Sequence, residues 1–310
     1  MKTLGQAMKD YLALRRSLGF KLKDHERCLR EFISFLKKKR SSRLSIPLAL
    51  EFATLHAHQQ PAQWAARLRV VRGFARYRSG EDPATEIPPL GLLPYRPRRA
   101  RPYLYSAEEI RKLLKAARNL YSTSTLKPWT YFCLFGLLAT TGMRISEALN
   151  LHATDIDWPE GVLTIQGTKF GKSRLVPLHP STQRVLWAYA ERRDGFFGTK
   201  PVSHFLVSTR GTRLDGGHVR RTFYQLSRQI GLRTASASHG PRLHDFRHRF
   251  ALETLVRWYR NGKDVERHLP VLSTYLGHAH VTDTYWYLTS TPELMGAAGK
   301  RMEQRWGGLL

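Results

Sequence analysis

The chain has 310 residues, 42% hydrophobic and 24% charged, enough for two domains with sizeable cores and too apolar for wholesale disorder. Its 51 Lys and Arg against 24 Asp and Glu leave a formal charge of +27. Such an excess needs a polyanionic partner, nucleic acid first and an anionic membrane as the weaker alternative.

Residues 1–10 lack the apolar stretch of a secretory signal, and the longest apolar run, Tyr131 to Ala139, is far short of a bilayer span. A soluble, cytoplasmic protein is expected. Cys28 and Cys133 are too few for a disulfide framework or a cysteine-rich zinc site, and their apolar surroundings in the sequence read as buried thiols.

Leu29, Phe32, Ile33 and Leu36 recur at helical spacing, and the basic run Lys37–Arg40 suits the negative end of that helix. A second stripe, Trp64, Leu68, Val71, Phe74 and Ala75, is interleaved with Arg67, Arg69, Arg72, Arg76 and Arg78. It predicts a helix with one packed face and one arginine face. Six of the 16 prolines then fall between Glu81 and Pro102, where no helix can propagate. This stretch reads as an interdomain linker with a basic tail, Arg96 to Arg101. The expected division is a helical domain over 1–95, a basic linker over 96–104 and a larger domain over 105–310. Residues 1–100 carry 21 basic and 8 acidic side chains, leaving 30 and 16 in the rest. With both parts basic, a two-domain clamp around one polyanion is the expectation.

Ser106-Ala107-Glu108-Glu109 is a capping-box signature for a helix to about Leu120. A further helix, Trp129 to Thr140, should stop near Gly142. Val162–Ile165 and Arg174–Pro177 read as two antiparallel strands around a Gly- and Lys-containing turn. More helices fit around 180–193, 216–230, 244–258 and 281–288. The fold class is mainly α with a small antiparallel sheet.

Two motifs are set aside. His244 and His248 have a zinc-like spacing, but Asp245 stands where a zincin needs Glu, and no third ligand has a known spacing. Gly171-Lys172-Ser173 lies between strands, where a phosphate-binding loop would open a helix. What remains is a dispersed polar set. Arg144 follows Gly142 at the start of a helix, where it is either an ordinary exposed arginine or the partner of a bound anion. Lys169 lies in the turn between the strands. His244 and Arg247 are one helical turn apart, His278 follows Leu276-Gly277, and Tyr287 stands nine residues beyond His278. The set has no acidic pair and no metal cage. It suits a phosphodiester that is gripped, attacked and split, because guanidinium forks match phosphate oxygens in a bidentate way.

The segments TGMRISEALNL, TKFGKSRLVPLHP, HDFRHRFA and LGHAHVTDTYWYL occur in one order that resembles the tyrosine recombinases, or phage integrase family, with the bacterial Xer recombinases as close pattern matches. The resemblance spans the C-terminal part and extends more weakly to the N-terminal part, which is similar to the family's core-binding domain. It implies that Arg144 and Arg247 hold the scissile phosphate and that Lys169 is the turn lysine, with Lys172 beside it as the alternative. His244 matches the first histidine of the HxxR motif and His278 the family's His-or-Trp position. Tyr287 would be the nucleophile, with Tyr285 as its rival, and Glu147 would help order the site. No metal or other cofactor is implied.

A phenol with a pKa of about 10 needs a base or a positive field to attack at neutral pH. His244 could take its proton, and Lys169 could give one to the leaving 5′ oxygen. The expected function is a site-specific DNA recombinase working through a 3′-phosphotyrosyl link, in integration, excision, transposition or chromosome resolution. A type IB-like topoisomerase and a non-catalytic DNA-binding protein are the alternatives. The expected partners are double-stranded DNA, further copies of the chain as a dimer or tetramer at synapsis, and partner recombinases, with no membrane. Binding to duplex DNA should weaken steeply with salt, with a log–log slope on the order of several phosphate contacts. Titration across a salt series checks this, and an affinity indifferent to salt would contradict the clamp.

Overall fold

The computed structural model describes residues 2–94, 101–167, 173–237, 239–288 and 292–306. The chain divides into two compact units, Met1–Ala100 and Arg101–Leu310.

In the first unit the described residues form helices α1 (Leu4–Ser17), α2 (Lys23–Lys38), α3 (Ile46–Thr54) and α4 (Pro61–Ser79). The starts follow local chemistry. Thr3 and Ser45 cap α1 and α3 with their hydroxyls, and Pro61 opens α4, where its missing N–H costs nothing. The apolar stripes of α2 and α4 meet in one core, with Leu29, Phe32, Leu36, Phe52, Val71 and Phe74 fully buried. Cys28 is only half-buried, unlike the buried thiol expected, because it faces out beside that core.

Two expectations change here. The arginine face of α4 is largely committed within the unit. Arg78 is buried against Glu81 and Asp82, Arg72 donates to the carbonyls of Pro88 and Pro89, and Arg67 pairs with Glu31. Only Arg69 and Arg76 of the five are exposed. Among its described residues the proline-rich stretch is free of helix, yet residues 82–89 are no loose tether. The Glu86 backbone N–H donates to the Leu44 carbonyl, its carboxylate accepts from the Ile46 N–H, and Asp82 and Thr85 are buried.

The second unit opens with α5 (Ala107–Arg118), where Ser106 and Glu109 form the expected reciprocal capping box. Helix α6 (Leu126–Thr141) is apolar nearly all round and lies in contact with α5, α8 (Pro180–Phe197) and α10 (Asp245–Arg260). Leu134, Phe135, Leu137 and Leu138 on α6 are buried in that core. After the short α7 (Ile145–Leu149), strands β1 (Ile156–Asp157), β2 (Val162–Ile165) and β3 (Arg174–Pro177) form an antiparallel sheet with β2 in the middle. Leu163 pairs with Val176, and both point into the core while Leu175 points out. Helix α9 (Gly216–Gln229) packs on α5 and α7.

The last part extends the expected pattern. Helices α11 (Val265–Leu276) and α13 (Pro292–Trp306) and the two-residue β1 were not foreseen. In α11, Pro270 sits inside the helix and hides it from a reading that takes proline as a stop. Leu252, Leu255, Leu269, Leu272, Leu276 and Leu294 join α10, α11 and α13 in a second core. The helix expected over 281–288 is shorter, α12 (Thr282–Tyr285). Beyond it Tyr287 and Leu288 bond back three residues, to Thr284 and Tyr285, so the chain tightens into a turn of three residues.

Gly142 ends α6 in the left-handed region, at φ 61°. A methyl group there would also lie 2.7 Å from the Phe250 ring. Gly142→Ala should therefore destabilise the second unit by at least about 1–2 kcal/mol, the cost of the backbone alone. Urea denaturation measures this, and a neutral effect would show that the α6–α7 corner relaxes freely.

Candidate active site

The corner after α6 sets the first side chain. Gly142 turns the chain, and Arg144 becomes the N-cap of α7 at φ −72°, ψ 145°. The anion needed beside Arg144 is supplied from within. Arg144 Nη1 donates to Glu147 Oε1 at 2.8 Å, and its backbone N–H donates to Glu147 Oε2 at 2.8 Å. Its Nη2 reaches the Gly277 carbonyl at 2.9 Å. The exposed-arginine alternative is thereby excluded, and a five-residue helix needs no external anion at its start.

Glu147 has a second partner that the sequence did not single out. Arg174, at the start of β3, donates Nη1 to Oε1 at 3.0 Å and Nη2 to Oε2 at 2.7 Å, while its Nε donates to the Tyr275 carbonyl at 2.6 Å. Burial works against the charge on Glu147. The hydrogen bonds and charge of Arg174, then the bonds from Arg144, outweigh it and hold the carboxyl below its ordinary range. Strand alternation was the available signal, since Arg174 shares its face with the inward Val176.

The second arginine comes from α10. His244 stands at the N-cap position of that helix, and Arg247 lies in its first turn, buried. Arg247 Nη1 donates to the Gly142 carbonyl at 3.1 Å and Nη2 to the Leu276 carbonyl at 2.5 Å. Its pKa is pushed down to about 10, by burial first; the neighbouring Arg144 adds to the fall, and Tyr287, which shares a side-chain hydrogen bond with it, opposes it. The turn before α10 is pinned by buried Asp245, which accepts from the Arg242 backbone N–H and from its guanidinium, both at 2.8 Å.

The corner after α11 supplies the rest. Gly277 ends α11 in the left-handed region, and His278 follows with Nδ1 2.7 Å from the Thr284 hydroxyl. The His278 and Tyr287 rings stack with centroids 6.0 Å apart, and His248 meets Tyr287 edge-on at 5.4 Å. His244 stands against His248 at 4.9 Å. The two candidate tyrosines separate cleanly. Tyr287 is 4% exposed beside Arg247, His248 and His278, whereas Tyr285 is 49% exposed. Burial, then the charge of Arg247, lowers the pKa of His244. Burial likewise brings His248 and His278 to about 4, so both rings are neutral at pH 7.

Thus Arg144, Glu147, His244, Arg247, His278 and Tyr287 are brought together. Lys169 and Lys172 lie outside the described residues. Among the described residues no three His, Cys, Asp or Glu side chains gather as a metal site, and no helix is long and apolar enough to cross a membrane.

Residues 104–293 match the model of the phage integrase family. A protein of Sinorhizobium fredii named "Putative integrase/recombinase y4rB" is 55% identical over 310 residues, covering 99% of each chain. Two solved structures have the same fold. One is the XerH site-specific recombinase bound to palindromic difH substrate in a post-cleavage complex, with TM-score 0.65, 19% identity and coverage of 96% of this chain and 84% of that one. The other is a lambda integrase tetramer bound to a Holliday junction, with TM-score 0.60, 19% identity and coverage of 91% and 79%.

The depressed imidazoles give stability a pH dependence with a definite sign. An unfolded histidine takes up a proton near its ordinary pKa of about 6.5, whereas folded His248 and His278 resist until about 4. The unfolded state binds more protons in that window, so the folded state loses stability as pH falls from 6.5 towards 4. Denaturation at a series of pH values should show this slope, and His248→Asn should reduce it. An unchanged slope in the variant would mean that His248 is solvated.

Proposed function

The chain belongs to the phage integrase family of tyrosine recombinases, enzymes that cleave and rejoin DNA, and we propose that it acts as a site-specific recombinase on double-stranded DNA through a tyrosyl intermediate at Tyr287. The observation that carries this is the convergence of Arg144, Arg247, His278 and Tyr287 from three separate segments on one place.

In the proposed reaction the scissile phosphate lies between Arg144 and Arg247. A guanidinium carries five N–H donors, so each fork keeps donors for phosphate oxygens beyond the partners it now holds. The Tyr287 oxygen attacks phosphorus, and the bond from phosphorus to the 5′ oxygen breaks. Neutral His244 takes the phenolic proton; the His248 ring lies against both His244 and Tyr287. Lys169 supplies a proton to the leaving 5′ oxygen, with Lys172 as the alternative donor. Arg144, Arg247 and His278 donate to the oxygens that gain charge in the transition state. The phosphotyrosyl link conserves the bond energy, so the reverse attack by a 5′ hydroxyl rejoins the strand.

The basic residues of both units favour a clamp on DNA, with residues 1–95 as its DNA-binding part, 96–104 as its linker and 105–310 as its catalytic part. Assembly of several copies on DNA accords with the tetrameric neighbour. A cytoplasmic setting and a mobile-element or chromosomal role complete the reading.

The test uses a nicked duplex carrying an inverted repeat taken from the DNA that flanks the gene, which traps the covalent complex. Tyr287→Phe should abolish the adduct, and Tyr285→Phe should leave it. Arg144→Lys and Arg247→Lys keep charge but lose the fork, and each should slow adduct formation on the order of 100-fold or more with binding mostly kept. An adduct formed by Tyr287→Phe would overturn the assignment of the nucleophile.

A further inference from the structure

We infer that Arg174 is a positioning residue of the proposed cleavage site, holding Glu147 and through it the fork of Arg144. The inference rests on the reading that Arg144 grips the phosphate.

The geometry is that of a rivet through three chain segments. Arg174 belongs to β3, Glu147 to α7, and the Tyr275 carbonyl to the end of α11. The Arg174 and Glu147 side chains are 6% and 7% exposed. All three nitrogens of the Arg174 fork are engaged, Nη1 and Nη2 on the two carboxylate oxygens and Nε on the Tyr275 carbonyl. What it fixes is the carboxylate, which in turn takes the Arg144 backbone N–H and Nη1.

The backbone is built to admit the fork. Gly277 has φ 67°, and a methyl group there would lie 2.8 Å from Arg174 Nη1 and 3.0 Å from its Cζ. The same Gly277 offers its carbonyl to Arg144 Nη2. Arg174 and Arg144 thus share the Glu147 carboxylate as a partner, and both lie at the corner around Gly277. Arg174 also stands five residues after Lys169 in the chain, so β3, which follows the lysine in sequence, is tied to the arginine that grips phosphate.

A lysine at 174 could keep one charge on Glu147 but not both oxygens and the Tyr275 carbonyl at once. Glu147 would then be free to turn, and Arg144 with it. Misplacement of a gripping group by about an ångström costs on the order of 100-fold in rate. Sequence-independent contacts elsewhere hold the duplex, so affinity should change by less than about threefold.

The experiment measures the rate of covalent-adduct formation at saturating protein on the nicked duplex, alongside duplex affinity and the urea midpoint. Arg174→Lys should lower the rate on the order of 100-fold with affinity kept. Glu147→Gln should do the same. The two together should cost little more than either alone, since they act through one contact. Gly277→Ala, which would press on the fork without changing its charge, is the second handle should Arg174→Lys fold poorly, and should slow the same step. A wild-type rate in Arg174→Lys, or losses that multiply in the double variant, would overturn the inference and leave the proposed reaction standing. Wild-type protein that forms no adduct would overturn both.

Discussion

Glu147 places a carboxylate, shielded from water, between the guanidinium groups of Arg144 and Arg174. Burying the Glu147–Arg174 pair is costly, and the mutual attraction repays the cost only where every lone pair and proton finds a partner. Here the carboxylate accepts four bonds, one from a backbone N–H and three from guanidinium groups. Such a cluster contributes little net stability compared with a greasy replacement, but removing one member strands the others. Its effect is therefore one of placement. It joins α7, β3 and the corner after α11, and Arg144, Glu147 and His278 of the candidate site hang from these elements.

Arg247 is held by a different device. Its fork donates to the Gly142 and Leu276 carbonyls, which lie at the C-terminal ends of α6 and α11. Those ends carry the negative pole of the helix dipole and carbonyls left without a helical partner. The arginine is thereby oriented and partly stabilised without a carboxylate on it, so its full charge remains available. The same use of arginine on loop carbonyls recurs through the chain. Arg233 donates to Pro241, Arg249 to Tyr105, Arg193 to Phe205 and Arg78 to Lys2. Part of the basic composition is internal cross-linking, which the count of charges alone does not distinguish from a surface for a polyanion.

Local chemistry was legible in the sequence wherever the cause is local. The Ser106 capping box, the stop at Gly142 and the strands at 162–165 and 174–177 follow from neighbours in the chain, and they stand where expected. The set Arg144, Glu147, His244, Arg247, His278 and Tyr287 came from motif order, and its members meet. What escaped depends on packing. Helix α11 survives Pro270 because its apolar face is buried against α10. Arg174 looked like an ordinary strand residue because its partner Glu147 is 27 residues away. Tyr287 and Tyr285 differ through the tightened turn after Thr284, in which Thr284 and Tyr287 fall on one buried side.

The two ways of holding arginine bear on how an anion would be bound. Arg144 comes with its countercharge, whereas Arg247 comes with dipoles and has its pKa lowered, burial first and Arg144 next among the groups that oppose its charge. The site so arranged is short of negative charge at one of its two arginines, and the imidazoles around it are kept neutral by the same burial. A phosphodiester would bring the missing charge to the place where Tyr287 already lies against Arg247. The neutral rings would add donors and an acceptor without further repulsion. On the proposed reading, the field that makes the buried guanidinium uncomfortable in the free protein is what a phosphate relieves in the ground state, and relieves more as its oxygens gain charge.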